Sequence, residues 1–224
     1  MRLLLIRHGE TPDNVAGRLA SVLPGPSLTE QGRSQAAALA DRLGGEPIGA
    51  VVASRATRAQ ETAAPLAAAL GVEVDVHDGL HEIFCGDLEG RTDREAAGTF
   101  LSTVSTWWRD LDARIPGGEN GTELVRRYTD AIDRVAASAE AAGVDTVAVV
   151  SHAGSIVTWV SATASNLDEG TVHGRGLENT GVLRLEGSPA DGWTVTHWHE
   201  EALAASAIDV ASGADPAGSA GSGA

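Results

Sequence analysis

Three short apolar runs punctuate this chain: LLLI at 3–6, IGAVVA at 48–53 and TVAVV at 146–150. Runs this short, bounded by turn residues and rich in β-branched side chains, suit strands buried on both faces. Helical spacing lies between them. Thr29 can cap a helix to about Leu43, with Ala36, Leu39, Ala40 and Leu43 on one face and Gly44-Gly45 as its stop. Ser54 is placed to cap the next helix, which Pro65 should break or kink. Val72–Val76 reads as a further strand, 94–113 as helical, Pro116-Gly117-Gly118 as a loop and Glu119–Ala142 as a long helix. Ser155–Ala164 is again helical, and Val182–Leu185 with Trp193–Trp198 suggests a hairpin turning around Ser188–Gly192. This alternation predicts a single α/β domain over residues 1–203, with a largely parallel central sheet and helices on both faces. Residues 204–224 are Ala/Gly/Ser-rich and read as a flexible tail.

The bulk properties narrow the function classes. The chain has 224 residues, 42% hydrophobic and 21% charged, which suits a domain with a full core. The net charge of −15 gives no overall attraction to nucleic acid or to an anionic membrane. No apolar run approaches the roughly 18 to 20 residues that span a bilayer. The apolar stretch after Arg2 is too short for the core of a signal peptide, and Cys85 is the only cysteine, so a cytoplasmic location is expected. All 16 basic residues are arginine, which excludes Schiff-base or P-loop lysine chemistry.

Ligands in parallel sheets bind beyond the carboxyl ends of the strands. Arg7-His8 follows the first run, Arg58 follows the second by one helical turn, and His152 follows TVAVV. Glu82 comes soon after VEVDV. If these strands are parallel neighbours, two arginines, two histidines and a carboxylate converge. Guanidinium forks match phosphate oxygens, and Gly9 and Gly154 leave room for close backbone approach. A neutral imidazole can attack phosphorus, and Glu82 can supply the proton a leaving alkoxide needs.

The residues also carry a resemblance. Arg7-His8-Gly9-Glu10-Thr11 with Asn14 resembles the R-H-G-[ES/ET]-x-x-N signature of the histidine phosphatase superfamily, the phosphoglycerate mutase-like family. Ser54–Ala59 with Thr62-Ala63 is similar to its S-x-x-x-R-A-x-x-T-A. Leu80-His81-Glu82 and Gly86–Gly90 resemble its L-x-E and G-x-x-E-G segments. Pro116-Gly117-Gly118-Glu119, Ser151-His152-Ala153-Gly154 and Asn179-Thr180-Gly181 look like its P-G-G-E, S-H-G-G and N-x-[GS] elements. The matches keep their order over roughly residues 1–200.

The resemblance implies that His8 is a phosphorylated nucleophile and Glu82 a general acid, then base. It implies that Arg7, Arg58 and His152 hold the phosphoryl oxygens, with Asn14 and the Ala153 loop in the same pocket. It implies no metal and no cofactor. Ala153 departs from the usual glycine. Asp13 stands where mutase members carry tryptophan, and the segment between Glu82 and Pro116 is short for a mutase, which favours a phosphatase. The expected partner is a small-molecule phosphate ester, with a homodimer compatible. A bisphosphate-primed phosphoglycerate mutase and a non-catalytic phospho-ligand module are the alternatives.

Four other features have competing readings. Cys85 to Arg91 matches the C-x5-R spacing of cysteine phosphatases, but Asp87 and Glu89 between them would repel phosphate. His197 and His199 share one face of the last strand, too few ligands for zinc. Trp107-Trp108 is either an active-site cover or core packing. Arg55 is either a substrate contact or a solvated residue.

Overall fold

In the computed structural model, residues 1–172, 174–199 and 201–203 are described, so the expected tail over 204–224 lies outside the described residues. Four parallel strands form one half of the sheet: β1 (Arg2–Arg7), β2 (Ala50–Ser54), β3 (Val74–His77) and β4 (Thr146–Ser151). β5 (Val182–Ser188), β6 (Gly192–Trp198) and β7 (Glu201–Ala202) extend the sheet antiparallel from β1. The order is β3-β2-β4-β1-β5-β6-β7. The parallel half is as expected, and the expected hairpin is the β5–β6 pair.

Among the described residues, seven α-helices accompany the sheet: α1 (Pro12–Ala16), α2 (Glu30–Leu43), α3 (Thr57–Leu70), α4 (Arg94–Thr106), α5 (Gly121–Ala142), α6 (Ala153–Thr163) and α7 (Glu169–Val172). Side chains of β1 alternate between two cores. Leu3 and Leu5 pack with Tyr128, Ile132 and Trp159 of α5 and α6, while Leu4 and Ile6 pack with Leu39, Leu43 and Leu66 of α2 and α3. That is why the runs are apolar at every position rather than at alternate ones. Each fully buried leucine contributes about 1.5–3 kcal/mol. A third cluster joins Ile83, Cys85 and Leu88 to Trp107, Ile115 and Leu124 under the middle segment.

Local signals explain the helix starts. The Thr29 hydroxyl accepts the Gly32 N–H and caps α2, worth about 1 kcal/mol. Asn120 and Glu123 cap α5 reciprocally, so that helix begins at Gly121 rather than at Glu119. Three expectations are corrected. α3 starts at Thr57 and is not broken at Pro65, the break alternative of the break-or-kink expectation. Ser54 is the last residue of β2 and not a helix cap. α4 stops at Thr106, and a turn follows over 107–113.

β4 lies between β1 and β2, so the β1-to-β2 connection passes over it. Arg7 pairs with Ser151, and Ala53 with Val150, which aligns the three carboxyl ends. The His8 N–H continues the ladder to the Ser151 carbonyl at 3.0 Å. The crevice of this sheet therefore opens at the residues that follow β1, β2 and β4.

Candidate active site

His8 is buried, with 4% of its surface exposed. Its Nδ1 lies 2.7 Å from the Gly9 carbonyl, an acceptor, so Nδ1 carries the proton. Nε2 is then the lone-pair nitrogen, and the Arg58 Nε–H donates to it at 3.1 Å. Burial first, then the Arg58 charge, hold His8 down at a pKa of about 3, so the ring is neutral at physiological pH.

His152 is wholly buried beside it, with ring centroids 5.1 Å apart. Its Nδ1 accepts the Arg58 Nη2–H at 3.1 Å, and its Nε2–H points at the Ser54 hydroxyl at 2.7 Å. Burial, followed by Arg58, keeps His152 neutral as well. Arg58 thus bridges two imidazoles and also donates to the Ala20 carbonyl at 3.3 Å. Its Nη1 is buried with no partner among the described residues, as is Nε of Arg7. Arg7 donates through Nη1 to the Leu177 carbonyl. A buried and a half-buried cation, each with an unspent buried donor, form a site prepared for an anion.

Glu82 sits opposite, at the start of α6. Its Oε1 accepts from Ile83 N, Ser155 N and Ser155 Oγ, while Oε2 accepts only from Gly154 N, at 3.1 Å. Gly154 permits this approach: a Cβ there would lie 2.7 Å from Oε1 and 2.8 Å from Ile83 Cδ1. Gly9 serves contact with a helix rather than with a ligand, because its Cβ would meet the Gly32 carbonyl of α2 at 2.7 Å.

These groups line a cavity of about 230 Å³. Arg7, His8, Asn14, Arg58, Glu82 and Ala153 all face it, whereas His152 stands behind Arg58. The Asn14 Oδ1 is engaged by the Thr11 N–H and by Asn179 Nδ2, leaving its NH2 group for a ligand. The outer wall adds Leu19, Ala20 and Phe100, and the Asp13–Arg18 pair at 3.1 Å.

Several contributors were not legible beforehand. Asn179 donates to the His8 carbonyl at 2.9 Å and pins the strand tip. Thr62 accepts the Gly9 N–H. Glu89 receives both the Ser21 N–H and hydroxyl, and so holds the loop that brings Ala20 to Arg58. Only the Asn179, Thr62 and Glu89 motif positions hinted at them.

The competing features resolve on geometry. Burial and the Glu82 charge push the Cys85 thiol up to about 12, and Arg91 pairs with Asp93 and Glu95 instead. Trp107 is core, and with Trp108 it borders a different cleft along α6. β6 ends at Trp198, leaving His199 in a turn at φ 55° and not on a strand face. Arg55 pairs with Asp78 at the surface.

Comparison with known proteins assigns the chain to a family. The family model for the histidine phosphatase superfamily (branch 1) matches residues 3–201. The chain belongs to that superfamily. It is 30% identical to glucosyl-3-phosphoglycerate phosphatase of Mycobacterium tuberculosis, over 92% of this chain and 98% of the relative. It is 34% identical to adenosylcobalamin/alpha-ribazole phosphatase of Salmonella typhimurium, over 69% of this chain and 75% of that one. The solved structure of the mycobacterial glucosyl-3-phosphoglycerate phosphatase in complex with VO3 superposes with a TM-score of 0.76 at 28% identity, covering 89% and 99% of the two chains. Other curated members are much longer: this chain spans 35% of a PE-PGRS family protein and 41% of a bifunctional protein of M. tuberculosis. No helix among the described residues is long and apolar enough to cross a membrane.

Proposed function

We propose that this protein hydrolyses a phosphate monoester of a small metabolite through a phosphohistidine on His8, without a metal. The observation that carries the reading is the locked ring of His8. The Gly9 carbonyl fixes the proton on Nδ1, so the lone pair sits on Nε2 inside the cavity, beside Arg58.

In the first step the Arg58 Nε–H leaves Nε2 for a phosphoryl oxygen, Nε2 forms a bond to phosphorus while the ester P–O bond breaks, and Glu82 gives a proton to the departing oxygen. The positive charge on the phosphorylated ring is shared through Nδ1–H with the Gly9 carbonyl. In the second step water loses a proton to Glu82 as it attacks phosphorus, and the P–N electron pair returns to Nε2. Arg7 and Arg58 stabilise the equatorial oxygens, and Asn14 offers its NH2 to the same group. His152 acts through Arg58, whose Nη2 donates to its Nδ1. Direct contact with an oxygen requires Arg58 Nη2 to leave Nδ1 and a proton to take its place. Ala153 adds only a methyl group to the cavity wall and keeps its backbone N–H.

The substrate lies among compounds such as glucosyl-3-phosphoglycerate and alpha-ribazole phosphate, on which named relatives act. Leu19 and Phe100 favour an ester with an apolar portion. A phosphate-ester panel without added metal tests the proposal. Inorganic phosphate should appear without a bisphosphate primer, and rapid quenching should trap acid-labile label on His8. Full turnover by His8→Ala would refute the mechanism. Dependence on a primer would turn the reading to a mutase.

A further inference from the structure

Arg127 lies on α5, away from the cavity wall, and every one of its five N–H donors is engaged. Nε and Nη2 donate to Glu119 at 2.9 and 2.6 Å. Nη1 donates to the carbonyls of Gly79 and His81 at 2.7 and 2.9 Å, and Nη2 also to the carbonyl of Glu82 at 3.2 Å. Glu119 in turn accepts the Phe84 N–H at 2.8 Å. The pair is 16% and 9% exposed, so it is shielded from water and ions. The turn rests directly on the helix: a Cβ at Gly79 would lie 2.7 Å from the Arg127 carbonyl.

The segment gripped in this way is 79–84, and its midpoint carries Glu82. Four backbone groups, two before that residue, one of its own and one after it, end on one ion pair. Loop carbonyls have other partners available, such as water, so the convergence of three on a single guanidinium fixes a path for the chain. The carboxylate is aimed separately, by the amides at the start of α6. Glu82 is thus clamped at its backbone by α5 and at its tip by α6.

We propose that Arg127 and Glu119 form the positioning pair that sets Glu82 at the distance needed for proton transfer, an inference that rests on the acid role given to Glu82 above. A displacement of a few tenths of an ångström there weakens proton transfer while leaving phosphate binding intact. A merely structural arginine would lower activity on all esters alike.

Leaving groups of different basicity separate the two. p-Nitrophenolate departs without a proton, whereas a butoxide needs one. The measurement is kcat/KM, which reports the first transfer, on p-nitrophenyl phosphate and butyl phosphate for the wild type, E82Q, R127M and E119Q. E82Q should lose about 100- to 1,000-fold on butyl phosphate and under tenfold on p-nitrophenyl phosphate. R127M should show the same selectivity at about 10- to 100-fold, with E119Q between it and the wild type. The double variant E82Q/R127M should be no slower than E82Q, since the clamp acts only through that carboxylate. R127K, which keeps the charge but not the fork, carries the test if R127M fails to fold. Equal losses on both substrates, or additive losses in the double variant, overturn the positioning role alone. If E82Q itself treats the two esters alike, the acid role falls and the clamp's function falls with it.

Discussion

Replacing Arg58 by methionine removes one buried cation and three donated hydrogen bonds, to His8 at 3.1 Å, His152 at 3.1 Å and Ala20 at 3.3 Å. Two effects follow. One lost donor to a developing oxyanion costs about 2.7–4 kcal/mol, or 10²- to 10³-fold. A guanidinium that can meet two oxygens should reach the upper figure. The second effect is on His8. Its pKa is held at about 3 by burial first and by Arg58 second. Without Arg58 it rises, but burial keeps it below the ordinary value near 6.5. The acid limb of the pH–kcat/KM profile should therefore move upward in R58M. Stability should change little, because burial already penalises the Arg58 charge and methionine fills a similar volume. Steady-state kinetics from pH 3 to 8, with 15N spectra of labelled histidine, measure both effects. A loss under tenfold, or an unmoved His8 titration in a folded variant, would refute the reasoning.

Acid should destabilise the fold through the same histidine: below pH 6.5 the unfolded chain binds a proton that folded His8 refuses until about pH 3, a cost that grows to roughly 5 kcal/mol. In His8→Gln the urea-unfolding free energy should fall less steeply between pH 6 and 4, by about 1.4 kcal/mol per pH unit, and an unchanged slope would contradict the assignment. Gly154→Ala should cost about 1–3 kcal/mol in the same assay and slow butyl phosphate turnover at least tenfold, since the new Cβ meets Glu82 and Ile83. Glu89→Ala should destabilise by about 2–3 kcal/mol through the stranded Ser21 donors and speed proteolysis near residues 18–26, whereas wild-type cleavage rates would show that the loop is held otherwise.

Local pattern alone determined much of this protein. The runs at 3–6 and 147–150 are apolar at every position because both faces are covered, and that signal needs no knowledge of the partners. Thr29, Gly44 and the β5–β6 turn also act within a few residues of themselves. The residue types after each strand, His8, Arg58, Glu82 and His152, announced phosphate chemistry because few other ligands suit that combination.

Tertiary structure decided how these groups meet. The placement of β4 between β1 and β2 sets His8 against His152 and turns Ser54 from an expected cap into a partner of the second histidine. Strand order depends on packing among residues far apart in the chain, which no short window encodes. For the same reason the contact of Gly9 with Gly32, the hold of Asn179 on His8 and the five bonds of Arg127 had no local signature. The tautomer of His8 belongs to the structure as well. A carbonyl 2.7 Å away decides which nitrogen keeps its proton, and with it which nitrogen can attack.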